Sequence, residues 1–163
     1  RGLYPDSTNT IRISMMVDPD TNIPFIAGAA QRIGGRYSSG LDNFSQGGYS
    51  AGINIDDGKL SAAVSKAETL KNKQLIWHDT HPDTGFPIKG TNVPGWDNIK
   101  IKLISMMSEM PYIKYIGWDV VVTDDDIVII EGNSHFQVGV IQTHEALLRD
   151  SHVKRFYEYY AII

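Results

Sequence analysis

GWDVVVTDDDIVIIEGN, residues 117–133, is typical of two short strands joined by an acidic turn at residues 123–126. Acidic residues normally avoid strands, yet Asp119 and Glu131 each directly adjoin an apolar run. Asn133 lies two residues after Glu131, so strand alternation points both side chains to the same face. Two carboxylates and one amide are oxygen donors that suit a hard cation such as Mg²⁺. We therefore interpret this hairpin as a candidate metal site.

The register of the hairpin decides whether its acidic side chains meet. Directly opposed residues of an antiparallel pair share a face, and their residue numbers have a constant sum. If residues 124–126 form a three-residue loop, Asp119 stands opposite Glu131, with Asn133 on the same face. A two- or four-residue loop sends Asp119 to the other face unless a bulge corrects the register. We predict the three-residue loop; the alternative to a metal site is an acidic edge that resists aggregation.

The composition is that of one globular domain. The 163 residues can bury a substantial core, and 42% of them are apolar and 21% charged. A net charge of −4 gives no general attraction to nucleic acid or to an anionic membrane. The chain has no cysteine, which excludes thiolate chemistry and suits the cytoplasm. Because the chain opens on Arg1 rather than Met, we expect residues 1–163 to be the C-terminal part of a longer protein.

Turn signals divide the chain into hairpins followed by helices. Strand-like runs occupy residues 11–17, 23–33, 50–55, 59–66 and 127–130. The spacing of apolar residues predicts helices over residues 96–110, 139–149 and 151–160, and Pro111 ends the first of them. Hairpins followed by segregated helices predict an α+β fold with a largely antiparallel sheet flanked by helices.

Arginines inside strands are the next chemical signal. Arg12 lies within an apolar strand, where a guanidinium needs an anionic or hydrogen-bonding partner. It could bind a phosphate bidentately, or it could form a structural salt bridge to a nearby carboxylate. Arg32 and Arg36 present the same choice. The polar loop over residues 42–48 lacks the lysine and the spacing of a P-loop, so we interpret it as an ordinary connection.

The histidines give weaker signals. His78 and His81 lie three residues apart, but closed zinc sites need four ligands and no others are near in sequence. We interpret both as surface-loop residues. A serine hydrolase is disfavoured, because the Gly-x-Ser-x-Gly pattern at residues 48–52 leads into the strand-like run over residues 50–55 and not into a helix. The three tryptophans are too dispersed for a nucleic-acid stacking platform.

Several short motifs, in a fixed order from about residue 8 to residue 148, resemble the C-terminal half of an ATP-grasp domain. The branch they resemble most is linked to sugar transfer and polysaccharide biosynthesis. The motifs are Asn9-Thr10-Ile11-Arg12, Asp42-Asn43 with Gly47-Gly48, His81-Pro82, Pro94-Gly95-Trp96, Gly117-Trp118-Asp119, Glu131-Gly132-Asn133 and Gln142. The resemblance implies the fold of an ATP-grasp C-terminal subdomain.

The resemblance also implies an ATP-dependent ligase with Mg²⁺, or Mn²⁺, as cofactor. In that family ATP phosphorylates a carboxylate, and an amine or similar nucleophile then displaces phosphate from the acyl phosphate. Asp119, Glu131 and Asn133 match the family's metal ligands, and Arg12 matches the arginine that contacts the transferred phosphate. These roles are coherent, because the metal and the guanidinium would neutralise charge on the phosphoryl oxygens.

The chain departs from the family pattern in three respects. Several ATP-grasp ligases carry an arginine two residues before the first metal ligand, where this chain has Gly117; Arg12 could take over that duty. The usual Pro-Gly after the asparagine ligand is replaced by residues 134–137. The family's purine-binding lysines lie in an N-terminal half, without which the fragment is expected to bind nucleotide poorly. Asp42 and Asn43 could border the acceptor side, with no firm role.

Two alternatives remain open. One is a non-catalytic nucleotide- or ligand-binding module with the ATP-grasp fold. The other is a metal-dependent hydrolase, which needs a base such as His135 or His81 and would be favoured if Arg12 lay far from Asp119. The expected partners are a small-molecule carboxylate, a nucleophile and the N-terminal half of the same protein, with no nucleic acid and no membrane span.

Overall fold

An antiparallel sheet of seven strands organises the computed structural model, which describes residues 2–66 and 74–163. The strands are β1 (Ile11–Val17), β2 (Pro24–Ile33), β3 (Tyr49–Ile53), β4 (Leu60–Lys66), β5 (Leu75–His78), β6 (Tyr115–Val122) and β7 (Ile127–Asn133). Their order across the sheet is β5-β4-β3-β2-β1-β6-β7, and all neighbouring strands are antiparallel. The predicted largely antiparallel sheet is confirmed. The four-residue β5 was not predicted, since so short a run shows little periodicity.

Helices cover both faces of the sheet. Those of the described residues are α1 (Trp96–Ser108), α2 (Gly139–Gln142) and α3 (Ser151–Tyr159). The apolar side of α1 packs with Ile13 and Val120 in the larger core. The segment after β7, which includes α2 and α3, packs against Met16 and Ala30 on the opposite face. The first and last predicted helices are confirmed to within two residues. No helix of the described residues is long and apolar enough to cross a membrane.

The predicted helix over residues 139–149 is wrong beyond its first turn. The chain leaves α2 and re-forms only a short 3-10 helix at Leu147–Arg149. A Cβ atom on Gly28 would lie 2.7 Å from Cγ2 of Ile141 and 3.0 Å from Cδ2 of Leu147, so both side chains cover the same point of the sheet. Six residues apart on one α-helix, they would point about 120° away from each other. Tertiary packing therefore breaks the helix.

The predicted opposition of Asp119 and Glu131 is confirmed, but the predicted pairing next to the turn is wrong, since Val122 pairs with Ile127. Asp119 stands opposite Glu131, and the loop over residues 123–126 has four residues instead of three. Val120 pairs with Ile129, whereas the preceding residue, Asp119, pairs with Glu131. Ile130 therefore has no partner of its own on β6 and is an extra residue in β7. This β-bulge restores the register that a four-residue loop alone would have shifted.

Three glycines let the segment after β7 lie directly on the sheet. Gly28 and Gly117 flank Ser14 across β2, β1 and β6, and Gly52 lies on the same face. A Cβ atom at Gly117 would overlap the ring of Phe136, while one at Gly52 would lie 2.7 Å from Cβ of His144. Because these glycines have no side chain, the segment after β7 can approach the sheet closely.

His144 anchors the covering segment to strands β3 and β4. Its Nε2 lies 2.9 Å from Oγ of Ser50, its Nδ1 lies 3.4 Å from Oγ of Ser61, and the ring of Trp77 packs edge-on against it. Burial lowers the pKa of His144 to about 4 because desolvation disfavours the charged imidazolium. The side chain is consequently neutral at pH 7 and serves as a hydrogen-bonding anchor.

Replacing Gly117 with alanine should destabilise the protein by about 1–3 kcal/mol, because the added methyl group overlaps the ring of Phe136. Chemical denaturation of the full-length chain measures the loss. Gly139→Ala is the matched control, since a Cβ there meets nothing within 4 Å. Equal stability of the two variants would contradict the close approach.

Replacing His144 with asparagine should flatten the acid side of the stability profile. The unfolded state takes up a proton near the ordinary pKa of 6.5 and the folded state near 4, so wild-type stability falls as pH drops through that window. Denaturation midpoints at pH 7, 5.5 and 4.5 measure the slope. The exposed His135→Asn serves as control, and a wild-type slope in His144→Asn would refute the assignment.

Candidate functional site

Asp119 forms the centre of a charged row across three strands. Arg12 on β1 stands opposite Asp119 on β6, and Glu131 on β7 stands opposite Asp119 from the other side. Asp119 is only 3% exposed, whereas Glu131 is exposed. The row lies on the face covered by the segment after β7, because Arg12 also pairs with the buried Ala30 of the smaller core.

Two guanidinium groups neutralise the buried carboxylate of Asp119. Arg12 donates from Nε to Oδ1 and from Nη2 to Oδ2, the latter at 2.7 Å. Arg32 donates from Nη1 to Oδ2 at 2.9 Å. The hydrogen bond to Asp119 raises the pKa of Arg12, with burial acting in the opposite direction. The salt-bridge alternative for Arg12 is therefore observed, and its predicted phosphate contact stays a prediction.

A second carboxylate fixes the position of Arg32. Nη2 of Arg32 lies 2.9 Å from Oδ1 of Asp42. Oδ2 of Asp42 accepts hydrogen bonds from both the backbone N–H and the hydroxyl of Thr10, each at 2.6 Å. Sequence reasoning gave Asp42 no firm role and left the partner of Arg32 open. A strand arginine and a loop aspartate were visible in the sequence, but their pairing was not.

The three predicted metal ligands lie on adjoining positions of one hairpin. Nδ2 of Asn133 donates to Oε1 of Glu131 at 2.8 Å, and the amide oxygen of Asn133 takes no part in this hydrogen bond. The pKa of Arg12 is raised chiefly by its hydrogen bond to Asp119 and also by Coulombic attraction from Glu131. Whether Asp119, Glu131 and Asn133 bind a metal ion remains a prediction.

The chemistry of this donor set fits a hard cation. Two carboxylates and an amide oxygen suit Mg²⁺, which usually retains waters or phosphate oxygens as further ligands. Within residues 2–66 and 74–163, no three His, Cys, Asp or Glu side chains group as a metal site, so a ligand set here depends on the amide of Asn133. Coordination of a metal ion by Asp119 would compete with the hydrogen bonds that its carboxylate accepts from Arg12 and Arg32.

A cavity of about 530 Å³ opens beside the charged row. Arg12, Arg32 and Lys66 line it together with the polar side chains of Ser45 and Thr143. None of the described residues that line it carries a carboxylate. The cavity is therefore lined by cationic groups, of which Arg12 and Arg32 already pair with Asp119 and Asp42. A larger cavity, of about 610 Å³, includes Gln31 of the other sheet face and contains none of the charged row.

The prediction that His78 and His81 are surface-loop residues is wrong. His81 is 1% exposed; its Nε2 lies 2.9 Å from the carbonyl oxygen of Gly34, and its Nδ1 accepts from the N–H of Asp83 at 3.1 Å. His78 is the last residue of β5, and its Nε2 lies 3.0 Å from Oγ of Ser65, within hydrogen-bonding distance. His81 has both ring nitrogens engaged and cannot serve as a general base.

The packing of the chain explains why Gly117 lies two residues before Asp119, the first candidate metal ligand. Phe136 packs directly on Gly117, so an arginine side chain there would collide with the covering segment. The guanidinium groups near Asp119 come instead from β1 and β2. Arg36, the third arginine singled out, pairs with Asp83 at the surface and lies outside the charged row.

Comparison with known proteins identifies the family to which this chain belongs. The family model described as sugar-transfer associated ATP-grasp matches residues 1–155. No curated protein and no solved structure gives a significant match. The family match covers nearly the whole chain and agrees with the resemblance of its ordered motifs. The chain belongs to the sugar-transfer associated ATP-grasp family.

Proposed function

We propose that this chain forms the phosphate- and metal-binding part of an ATP-dependent ligase-type enzyme. The observation that carries the proposal is the contact between Arg12 and Asp119 on neighbouring strands, with Glu131 opposite Asp119. The arginine proposed to bind phosphate and the two carboxylates proposed to bind metal thus lie in one row. The metal-dependent hydrolase is disfavoured, because it would be expected to separate Arg12 from Asp119, and the two are in contact. Of its two candidate bases, His81 is buried and His135 is exposed.

In the proposed reaction, the carboxylate of one substrate attacks the γ-phosphorus of ATP. The bond between that phosphorus and the bridging oxygen breaks, and ADP leaves. An amine or similar nucleophile then attacks the acyl carbon, phosphate leaves, and the nucleophile loses a proton. Mg²⁺, when bound, neutralises charge on the phosphate oxygens.

The residues of the charged row and of the cavity would have separate roles in this reaction. Asp119, Glu131 and the amide oxygen of Asn133 would hold Mg²⁺, a set with few enough ligands to leave positions for phosphate oxygens and water. The planar guanidinium of Arg12 would bind the transferred phosphoryl group through two parallel hydrogen bonds. The adjoining cavity, with Arg32 and its other cations, would attract the anionic substrate.

The family name supports a wider setting for this reaction. Association with sugar transfer suggests a role in polysaccharide or glycan biosynthesis, and ATP consumption suggests a cytoplasmic location. We also propose that an N-terminal half of the same protein supplies the contacts to the purine base. The small-molecule carboxylate and nucleophile would meet at the boundary between the two halves.

One observation favours a second candidate, a non-catalytic binding module. Both oxygens of Asp119 already accept hydrogen bonds from arginine. A carboxylate held in this way could serve stability alone. Such a module would bind nucleotide or another anion through its arginines but would release no ADP, so turnover measurements distinguish the two candidates.

Glu131→Gln should lower ADP release by the full-length enzyme, with candidate carboxylates as substrates, by about 10²-fold or more, because a charged metal ligand is lost. Asp119→Asn should lower it at least as far. Glu131 gives the sharper test, since it is exposed and its replacement leaves the core intact. Glu109→Gln, at the end of α1, is the matched control.

The pattern of the two variants separates the candidates. Loss in both, with wild-type thermal unfolding in Glu131→Gln, supports the metal site. Loss in Asp119→Asn alone would mean that Asp119 is needed only for folding. Unchanged turnover in both would refute the ligand assignment, and no ADP release by the wild type would favour the binding module.

A further inference from the structure

The two arginines that contact Asp119 are held very differently. Arg32 is fixed at both ends of its guanidinium, by Asp119 through Nη1 and by Asp42 through Nη2. Thr10 in turn holds Asp42 with two hydrogen bonds. Arg12, in contrast, makes its side-chain hydrogen bonds within the described residues to Asp119 alone. One arginine is thus held by two carboxylates, and the other is held by Asp119 alone among the described residues.

The two oxygens of Asp119 also differ. Oδ2 accepts from both arginines, whereas Oδ1 accepts from Arg12 alone among the described residues. If Arg12 moves away, Oδ1 becomes available and Oδ2 keeps its hydrogen bond from Arg32. The carboxylate would then present one oxygen in a fixed orientation, as a metal ligand requires.

We propose that Arg32, anchored by Asp42, is a positioning residue for Asp119, and that Arg12 exchanges from Asp119 to phosphate when metal and nucleotide bind. This inference rests on the proposed function and extends it. Without ligands Arg12 is the counter-ion of Asp119. In the loaded site the metal takes its place, and Arg12 binds the transferred phosphoryl group.

Electrostatics gives the exchange its direction. A divalent cation on Asp119, with both guanidiniums still in place, would bring two further positive charges next to Arg12 and Arg32. Arg12 would then lie beside a divalent charge at short range, where like charges repel each other. Movement of Arg12 towards an anion removes part of this repulsion and replaces the ion pair that it loses.

The cavity provides space for the movement. Arg12 and Arg32 both border this space of about 530 Å³, and 13% of the Arg12 side chain is exposed. Because Arg12 competes with the metal for Oδ1, metal alone should bind weakly. Phosphate supplies the alternative partner that releases Arg12, so metal and nucleotide should each strengthen the binding of the other.

The test uses the full-length protein with Mn²⁺ as probe, since free Mn²⁺ is counted directly by electron paramagnetic resonance. Mn²⁺ affinity is measured alone and with a non-hydrolysable ATP analogue. Arg12→Gln should bind Mn²⁺ alone about 3- to 10-fold more tightly, because the competing cation is gone. The same variant should bind the Mn²⁺–analogue complex about 10-fold or more weakly, because it lacks the phosphate ligand.

Three further variants complete the design. Arg32→Gln should weaken Mn²⁺ binding both with and without the analogue, since Asp119 loses its fixed hydrogen bond. Arg12→Lys keeps the charge but not the two parallel bonds, and should lie between wild type and Arg12→Gln. Arg36→Gln, which removes the same charge from an exposed arginine, should match the wild type. Thermal unfolding verifies that each variant is folded.

Each result supports or overturns the exchange. Opposite effects of Arg12→Gln on the two affinities support it. If Arg12→Gln weakens only the Mn²⁺–analogue complex, Arg12 is a phosphate ligand that does not compete with the metal. If Arg12→Gln weakens the binding of both probes, Arg12 has a structural role. Either result overturns the exchange but leaves the proposed function intact. If Arg32→Gln strengthens Mn²⁺ binding, the anchor assignment is wrong. If the wild type binds neither probe, the proposed function fails as well.

Discussion

The buried carboxylate of Asp119 requires neutralisation, and the arrangement of the central strands follows from that requirement. A carboxylate removed from water is stable only when it is paired and hydrogen-bonded, and loss of one partner from a buried pair costs about 3–5 kcal/mol. Here the partners come from β1 and β2, so Arg12 and Arg32 connect three adjacent strands through one side chain. Asp42 extends the network into the loop after β2. The charged row is therefore part of what holds the sheet in register.

Two β-bulges bring the charged row into alignment. One lies between β1 and β2, where the register shifts after Ser14, and the other places Ile130 as an extra residue in β7. Each moves the residues on one side of it to the opposite face relative to an unbroken strand. Without the bulge in β7, the four-residue turn would direct Glu131 away from Asp119. A local irregularity thus sets the geometry of the candidate site.

Local patterns were sufficient for some of these features and insufficient for others. The strand at Ile11–Val17 and helix α1 carry their own periodicity and turn signals, so they were predicted closely. The opposition of Asp119 and Glu131 was predicted from a loop length that proved wrong, since a bulge compensated for it. The Arg32–Asp42 pair depends on how a loop folds back on the sheet. The burial of His81 likewise arises from tertiary packing, which no local pattern encodes.

The charge of the row has a consequence for how ligands would enter it. Asp42, Asp119 and Glu131 oppose Arg12 and Arg32, which leaves one net negative charge at neutral pH. A divalent cation alone would reverse that sign, and a polyphosphate alone would add strongly to it. Bound together, each reduces the excess charge that the other would leave. A site that is nearly balanced before binding therefore favours joint entry of metal and nucleotide, and exchange of an existing ion pair is the physical step by which a closed row of charges can accept them.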